Sequence, residues 1–232
     1  TLSIVCTSNN TVLAEVPVGS HDPTPAVIRE GRGFLYDAKL SGNGTMACAA
    51  CHIDAEMDMV AWDLGDPAGS MQQVITVISN FSVPLQMHPM KGPMITQTLR
   101  GLDGLDPLHW RGDRTNFLAF NPAFDSLLGG SQLSAADMET YRDFIDTIVF
   151  HPNPNQNMDR TLPASFAGGD PIAGRNTFLN EAYIPGLTCN TCHVADPGPG
   201  SNGVLIPASA LRESQAFKIP QLRNMYKKLS FS

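Results

Sequence analysis

Hydrophobic and polar positions alternate over the first residues. Leu2, Ile4 and Cys6 take one side, Ser8-Asn9-Asn10 supplies turn residues, and Val12-Leu13-Ala14-Glu15-Val16 returns. Period two around a turn cluster predicts a hairpin over residues 1–19. Two strands alone are marginal in water, so this hairpin needs a partner sheet. The pattern then lengthens. Thr24-Pro25 starts a helix, cap followed by proline, with Val27, Ile28, Phe34 and Leu35 as its apolar stripe. A loop at Ser41-Gly42-Asn43-Gly44 leads to Cys48-Ala49-Ala50-Cys51-His52, and loop-rich sequence runs to about residue 130. Ser134 to Phe150 reads as a helix, capped by Ser134 and Asp137, with Met138, Tyr141, Phe144, Ile145 and Ile148 on one face.

Residues 151–170, with three prolines, three asparagines and a glycine pair, read as a linker. Asp170-Pro171 then caps a helix through Phe178 and Leu179, and Cys189-Asn190-Thr191-Cys192-His193 follows. The order helix, loop, Cys-x-x-Cys-His therefore occurs twice, a repetition at the level of a domain. The expected division is a hairpin at 1–20, a first unit at 21–150, a linker at 151–170 and a second, shorter unit at 171–232. The expected class is mainly α.

Composition narrows the reading without deciding it. Hydrophobic residues make up 42% and charged residues 16%, which suits packed cores rather than disorder. Twenty glycines and 18 prolines predict short helices and many loops. A net charge of −7 argues against nucleic-acid binding and is consistent with docking on a basic partner. There is no run of 18 apolar residues to span a membrane. The first residue is Thr1, inside strand-like sequence, so the chain reads as a piece of a longer polypeptide. Of five cysteines, only Cys6 lies outside the pentapeptides, and it reads as a small buried hydrophobe, with an intermolecular disulfide as the alternative.

The doubled pentapeptide carries the chemistry. Two cysteines three apart can form thioethers with a haem, and the adjacent histidine can ligate its iron. A zinc ribbon would pair its cysteine couples more closely; here they begin 141 residues apart (189 minus 48). A thioredoxin-like site needs a preceding strand and no histidine. The expectation is two covalently bound haem c groups, attached at Cys48/Cys51 and Cys189/Cys192, with His52 and His193 on the irons.

Leu40-Ser41-Gly42-Asn43-Gly44, His109-Trp110-Arg111-Gly112-Asp113-Arg114 and Phe217-Lys218-Ile219-Pro220-Gln221-Leu222-Arg223-Asn224 complete a pattern over about residues 25–232. In it the chain resembles the di-haem cytochrome c peroxidase superfamily, in particular propeller-fused members that share the run His88-Pro89-Met90-Lys91-Gly92-Pro93-Met94. The first 19 residues are similar to one repeat of a bacterial β-propeller, which implies that a propeller lay upstream. The resemblance implies two tandem cytochrome c domains, electron transfer between redox partners or, alternatively, reduction of hydrogen peroxide, and a periplasmic or extracellular location. It also implies His88 as sixth ligand of the first iron, with Met94 and Met90 the rivals. Trp110 would be the aromatic between the haems, and Arg111 and Arg114 would meet haem propionates or a carboxylate. The second iron's usual methionine lies beyond Leu-Arg-Asn in the family. Here Met225 is the nearby thioether and His151 a distant second choice, so that site is expected to be five-coordinate, bound to Met225, or covered by an upstream propeller or second copy. Trp62 has no family counterpart and reads as core.

Overall fold

The computed structural model describes residues 1–64, 72–78, 81–87, 93–195, 198–211, 213 and 215–228. Strands β1 (Leu2–Cys6) and β2 (Thr11–Val16) form the expected hairpin, with Asn10 at φ 56° in its turn. Helix α1 (Ala26–Tyr36) follows Pro25. Strands β3 (Ala61–Trp62), β4 (Gln72–Ile78), β5 (Phe81–Met87) and β6 (Met94–Ile95) pair β3 with β6 and β4 with β5. Helix α2 (Pro122–Ser126) precedes α3 (Ala135–Asp146), whose Ser134 Oγ accepts from the Asp137 amide at 3.1 Å as the cap requires. Helix α4 (Pro171–Asn180) is capped by Asp170, which accepts from the Ile172 and Ala173 amides at 3.0 and 2.9 Å. Strands β7 (Ala182–Ile184) and β8 (Leu187–Thr188), helix α5 (Cys189–Cys192), strand β9 (Leu205–Ile206), helix α6 (Ala208–Leu211) and strand β10 (Phe217–Lys218) complete the chain, with β7 on β8 and β9 on β10.

The class is mixed rather than mainly α: the described residues hold six α-helices and five small two-stranded sheets. The helices stay short because glycine and proline interrupt the chain. Helix α3 stops at Asp146, four residues before the expected Phe150, where the β-branched run Thr147-Ile148-Val149 favours extended backbone. The β4–β5 hairpin lies in a stretch read from sequence as loop, although Val74-Ile75-Thr76-Val77-Ile78 carries high strand preference.

The core lies where α1 crosses α3. Leu35, Phe124, Met138, Tyr141, Phe144 and Ile145 are buried there, and Leu105, Leu108 and Phe117 close it from the connecting loops. Tyr141 meets the Phe117 ring edge-on with centroids 5.0 Å apart, the geometry aromatic quadrupoles favour. Helix α1 approaches α3 at Gly31, where any Cβ would lie 2.2 Å from Phe144 Cβ. Cys48 and Ala49 pack against this core, so the first pentapeptide sits on a folded platform.

The two halves are joined. Lys218, 7% exposed, donates Nζ to the Leu105 carbonyl at 3.0 Å and to that of Pro107. Its backbone amide donates to the Trp110 carbonyl at 2.8 Å. Among the described residues, every hydrophobic side chain of the buried core lies between Leu35 and Ile145. The described apolar side chains of the second half are partly covered or exposed.

Candidate functional site

Both pentapeptides form a single helical turn entered from an extended residue, Ala47 at φ −127°, ψ 165° and Thr188 at φ −88°, ψ 165°. His52 and His193 donate their amides to the carbonyls of Cys48 and Cys189 at 3.0 and 2.9 Å. The histidine backbones nearly coincide, φ −93°, ψ 63° and φ −96°, ψ 56°. A helical turn puts residues i and i+3 on one side, so each cysteine pair presents its thiols together. In the second motif Thr188 and Thr191 cap one another, the Thr188 amide donating to Thr191 Oγ1 at 3.1 Å.

Each imidazole is pinned from behind. His52 Nδ1 lies 2.9 Å from the Gln97 carbonyl oxygen, and His193 Nδ1 lies 2.8 Å from that of Pro220. A carbonyl oxygen only accepts, so Nδ1 carries the proton and Nε2 keeps its lone pair. Metal-ligating histidines use this arrangement to fix tautomer and ring orientation. Burial pushes the His52 imidazole below its ordinary pKa, which also favours the neutral ligand form.

Neither carbonyl was legible in the sequence, yet a signal existed. Gln97-Thr98-Leu99-Arg100 and Pro220-Gln221-Leu222-Arg223 each place Leu-Arg two and three residues after the accepting carbonyl.

Among the described residues none of the five cysteines forms a disulfide. Burial pushes the Cys48 and Cys51 thiols up, opposite to the depressed thiols of redox-active Cys-x-x-Cys sites. No three His, Cys, Asp or Glu side chains among the described residues converge as a zinc site requires. Beside His193 a cleft of about 260 Å³ is lined by Phe178, Ala195, Gly200, Leu222 and Arg223. Ile172, Ile184 and Leu187 remain exposed in the same half. Paired thiols, a fixed imidazole lone pair and uncovered apolar side chains fit a covalently attached haem, a broad and mostly apolar group.

Trp110 lies between the two pinning segments. Its Nε1 donates to the Ile95 carbonyl at 2.8 Å, two residues before Gln97. Its carbonyl accepts from Lys218, two residues before Pro220, and Lys228 Nζ sits 5.6 Å from its ring centroid. Arg111 and Arg114 both meet Asp113, Arg114 Nη1 at 3.2 Å from Oδ2, and Arg111 also donates to Gln215. His109 Nδ1 lies 2.9 Å from Asp113 Oδ1. Asp113 is thus a hub that sequence reasoning passed over.

Glu56, four residues after His52, lies 2.8 Å from Arg100 Nε and accepts from Lys227 Nζ at 2.9 Å. Burial would raise its carboxyl, but the hydrogen bonds and nearby Lys227 and Arg100 charges hold it below the usual range.

The remaining candidates are scattered. His88 and Met90 lie outside the described residues. Met94 stands in β6 opposite Trp62 of β3. Met225 is 44% exposed and opens a 3-10 turn to Lys227, after Asn224 at φ 62°. His151 lines a second cleft of about 340 Å³ with Arg160, Arg223 and Tyr226. Two expectations are corrected. Trp62 is not core: it is 40% exposed, and its Nε1 donates to Asp58 at 2.7 Å. Cys6 is not fully buried: it sits at the end of β1, with Sγ 3.0 Å from Ser8 Oγ.

Among the described residues no helix is long and apolar enough to cross a membrane. No family model matches the sequence, and no curated protein matches it. The fold, however, is similar to that of a solved chain from Kuenenia stuttgartiensis hydrazine synthase, with a TM-score of 0.57 and 20% identity over 91% of this chain and 76% of that one.

Proposed function

We propose that the chain is a c-type cytochrome that moves electrons between redox partners through two covalently bound haems. The carrying observation is the matched pair of motif turns, each with its histidine Nδ1 held by a backbone carbonyl. Cys48 and Cys51 hold the first group and Cys189 and Cys192 the second, with Nε2 of His52 and of His193 directed to iron. Bound haem supplies a reversible one-electron couple. Gln97 and Pro220 keep the imidazoles oriented and neutral. Trp110, hydrogen-bonded to both pinning segments, is the aromatic bridge between the sites. Arg111 and Arg114 set the charge beside it.

On this reading residues 21–150 and 171–232 are tandem cytochrome c domains joined by 151–170, related to the di-haem peroxidase superfamily. The likeness to a hydrazine synthase chain supports the fold and carries no activity of its own. Electron transfer is favoured over peroxide reduction because Glu56, the first carboxylate with charged partners after the first motif, is ion-paired through Oε1 with Arg100 and Lys227, which favours its ionised form over proton donation. Haem attachment of this type belongs outside the bacterial inner membrane, so the chain works in the periplasm or beyond. A redox protein is its partner, and an upstream propeller or second copy covers the second site.

The test is a haem count. Alkaline pyridine spectra and intact mass should give two haems per wild-type chain and one in each of Cys48→Ser/Cys51→Ser and Cys189→Ser/Cys192→Ser. A wild-type chain without haem, or with bound zinc, refutes the proposal.

A further inference from the structure

Glu56 touches both halves of the chain at the segments that pin the two histidines. It follows the first motif, four residues beyond His52. Its Oε1 is 2.8 Å from Nε of Arg100, which follows Gln97 by three residues. The same oxygen accepts from Asn224 Nδ2 at 3.3 Å and from Lys227 Nζ at 2.9 Å. Asn224 follows Pro220 by four residues and is buried in the left-handed conformation at φ 62°. A path of contacts joined by two short chain segments, 97–100 and 220–224, therefore runs from His52 through Gln97, Arg100, Glu56 and Asn224 to Pro220 and His193. The Glu56 and Arg100 side chains are 15% and 13% exposed, so solvent screens their pairing only partly.

We propose that Glu56 is a positioning residue for the second motif. Its carboxylate clamps Asn224 and Lys227 to Arg100 and so fixes the segment whose Pro220 carbonyl orients His193. The inference rests on the reading of His52 and His193 as iron ligands. The orientation and basicity of a ligating imidazole follow the acceptor behind it. A residue just past the first motif thereby bears on the ligand of the second, and the carboxylate is a link between the two sites in addition to the Trp110 bridge.

The experiment compares full-length wild type, Glu56→Ala and Asn224→Gly, each carrying its attached haems. Asn224→Gly removes the amide while keeping a residue that adopts φ above zero without strain, so it serves even where Glu56→Ala fails to fold. Two signals are read. One is the ring Nδ1–H resonance of His52 and of His193 by NMR. The other is hydrogen exchange at the amides of Lys227 and Lys228, which donate to Asn224 and Met225 carbonyls at 2.9 Å each. With both haems retained, the His193 resonance should move in both variants. In Asn224→Gly the His52 resonance should stay in place. Exchange at Lys227 and Lys228 should quicken about ten-fold or more. An unmoved His193 resonance with unchanged exchange in folded Asn224→Gly overturns the proposal. Wild type lacking haem would instead refute the cytochrome reading; the exchange comparison needs no haem and still decides whether Glu56 clamps the segment.

Discussion

Helix α1 carries two glycines whose replacement by alanine should act in opposite directions. At Gly31 a Cβ would stand 2.2 Å from Phe144 Cβ and 2.7 Å from the Thr140 carbonyl, whereas carbon atoms in contact rest about 3.5–4 Å apart. Phe144 Cβ cannot swing away, because it is fixed to the α3 backbone. Helices α1 and α3 must separate, which loosens Leu35 and Ile145, both 0% exposed. Overpacking of this kind costs about 3 kcal/mol at the upper end, and the better helix propensity of alanine returns about 1. The net loss is about 2 kcal/mol, which for a chain of this size lowers the melting temperature by about 4–8 °C. Gly33 lies two residues on, exposed, with nothing within 4 Å of its would-be Cβ. Gly33→Ala should therefore raise the melting temperature by about 2–4 °C for its gain of about 1 kcal/mol. Calorimetry on both proteins is the assay. Equal shifts, or a stabilised Gly31→Ala, would refute the packing argument.

Other expectations concern the sites and the joint between halves. Converting His88 to Ala should turn the first haem's spectrum from low to high spin while Met94→Leu leaves it unchanged; the reverse outcome assigns the ligand to Met94. Lys218→Met should cost about 1–3 kcal/mol in denaturant unfolding, because it strands the Leu105 and Pro107 carbonyls in a buried place. The native Glu56 carboxyl is lowered, so the unfolded chain binds its proton first as pH falls. Its stabilisation is complete above the ordinary glutamate pKa of about 4.3 and fades below it. Stability measured against pH should therefore drop less steeply below about pH 4.3 in Glu56→Gln than in wild type. A limb of identical slope would show that Glu56 contributes nothing there.

What the sequence revealed was local. Ser134 and Asp170 announce their helices because a cap acts within three residues. Met138, Tyr141, Phe144 and Ile145 repeat at helical spacing because they face one core. The pentapeptides are legible because thiols and imidazole must be adjacent to do their chemistry. The carbonyls of Gln97 and Pro220 are harder to read: each lies dozens of residues from the histidine it serves, and only the shared Leu-Arg two and three residues on marks the pair. Glu56 is hidden because nothing in a lone carboxylate's neighbours says which distant cation it will meet; Asp113 is a local case, since His109, Arg111 and Arg114 all lie within four residues of it. Trp62 misleads by composition: a large indole suggests burial, but Asp58 holds its N–H at the surface.

Among the described residues the buried apolar core is confined to residues 35–145, and this bears on how the protein is made. A unit with its own apolar interior can become compact as soon as it is synthesised, while one without waits for whatever will fill its centre. On the proposed cytochrome reading, the first motif would be offered to the attachment machinery from a finished frame, and the second from a segment that would gain its interior with the haem. Attachment at Cys189 and Cys192 would then close the folding, and a chain that missed it should keep a native-like first half with a protease-sensitive second.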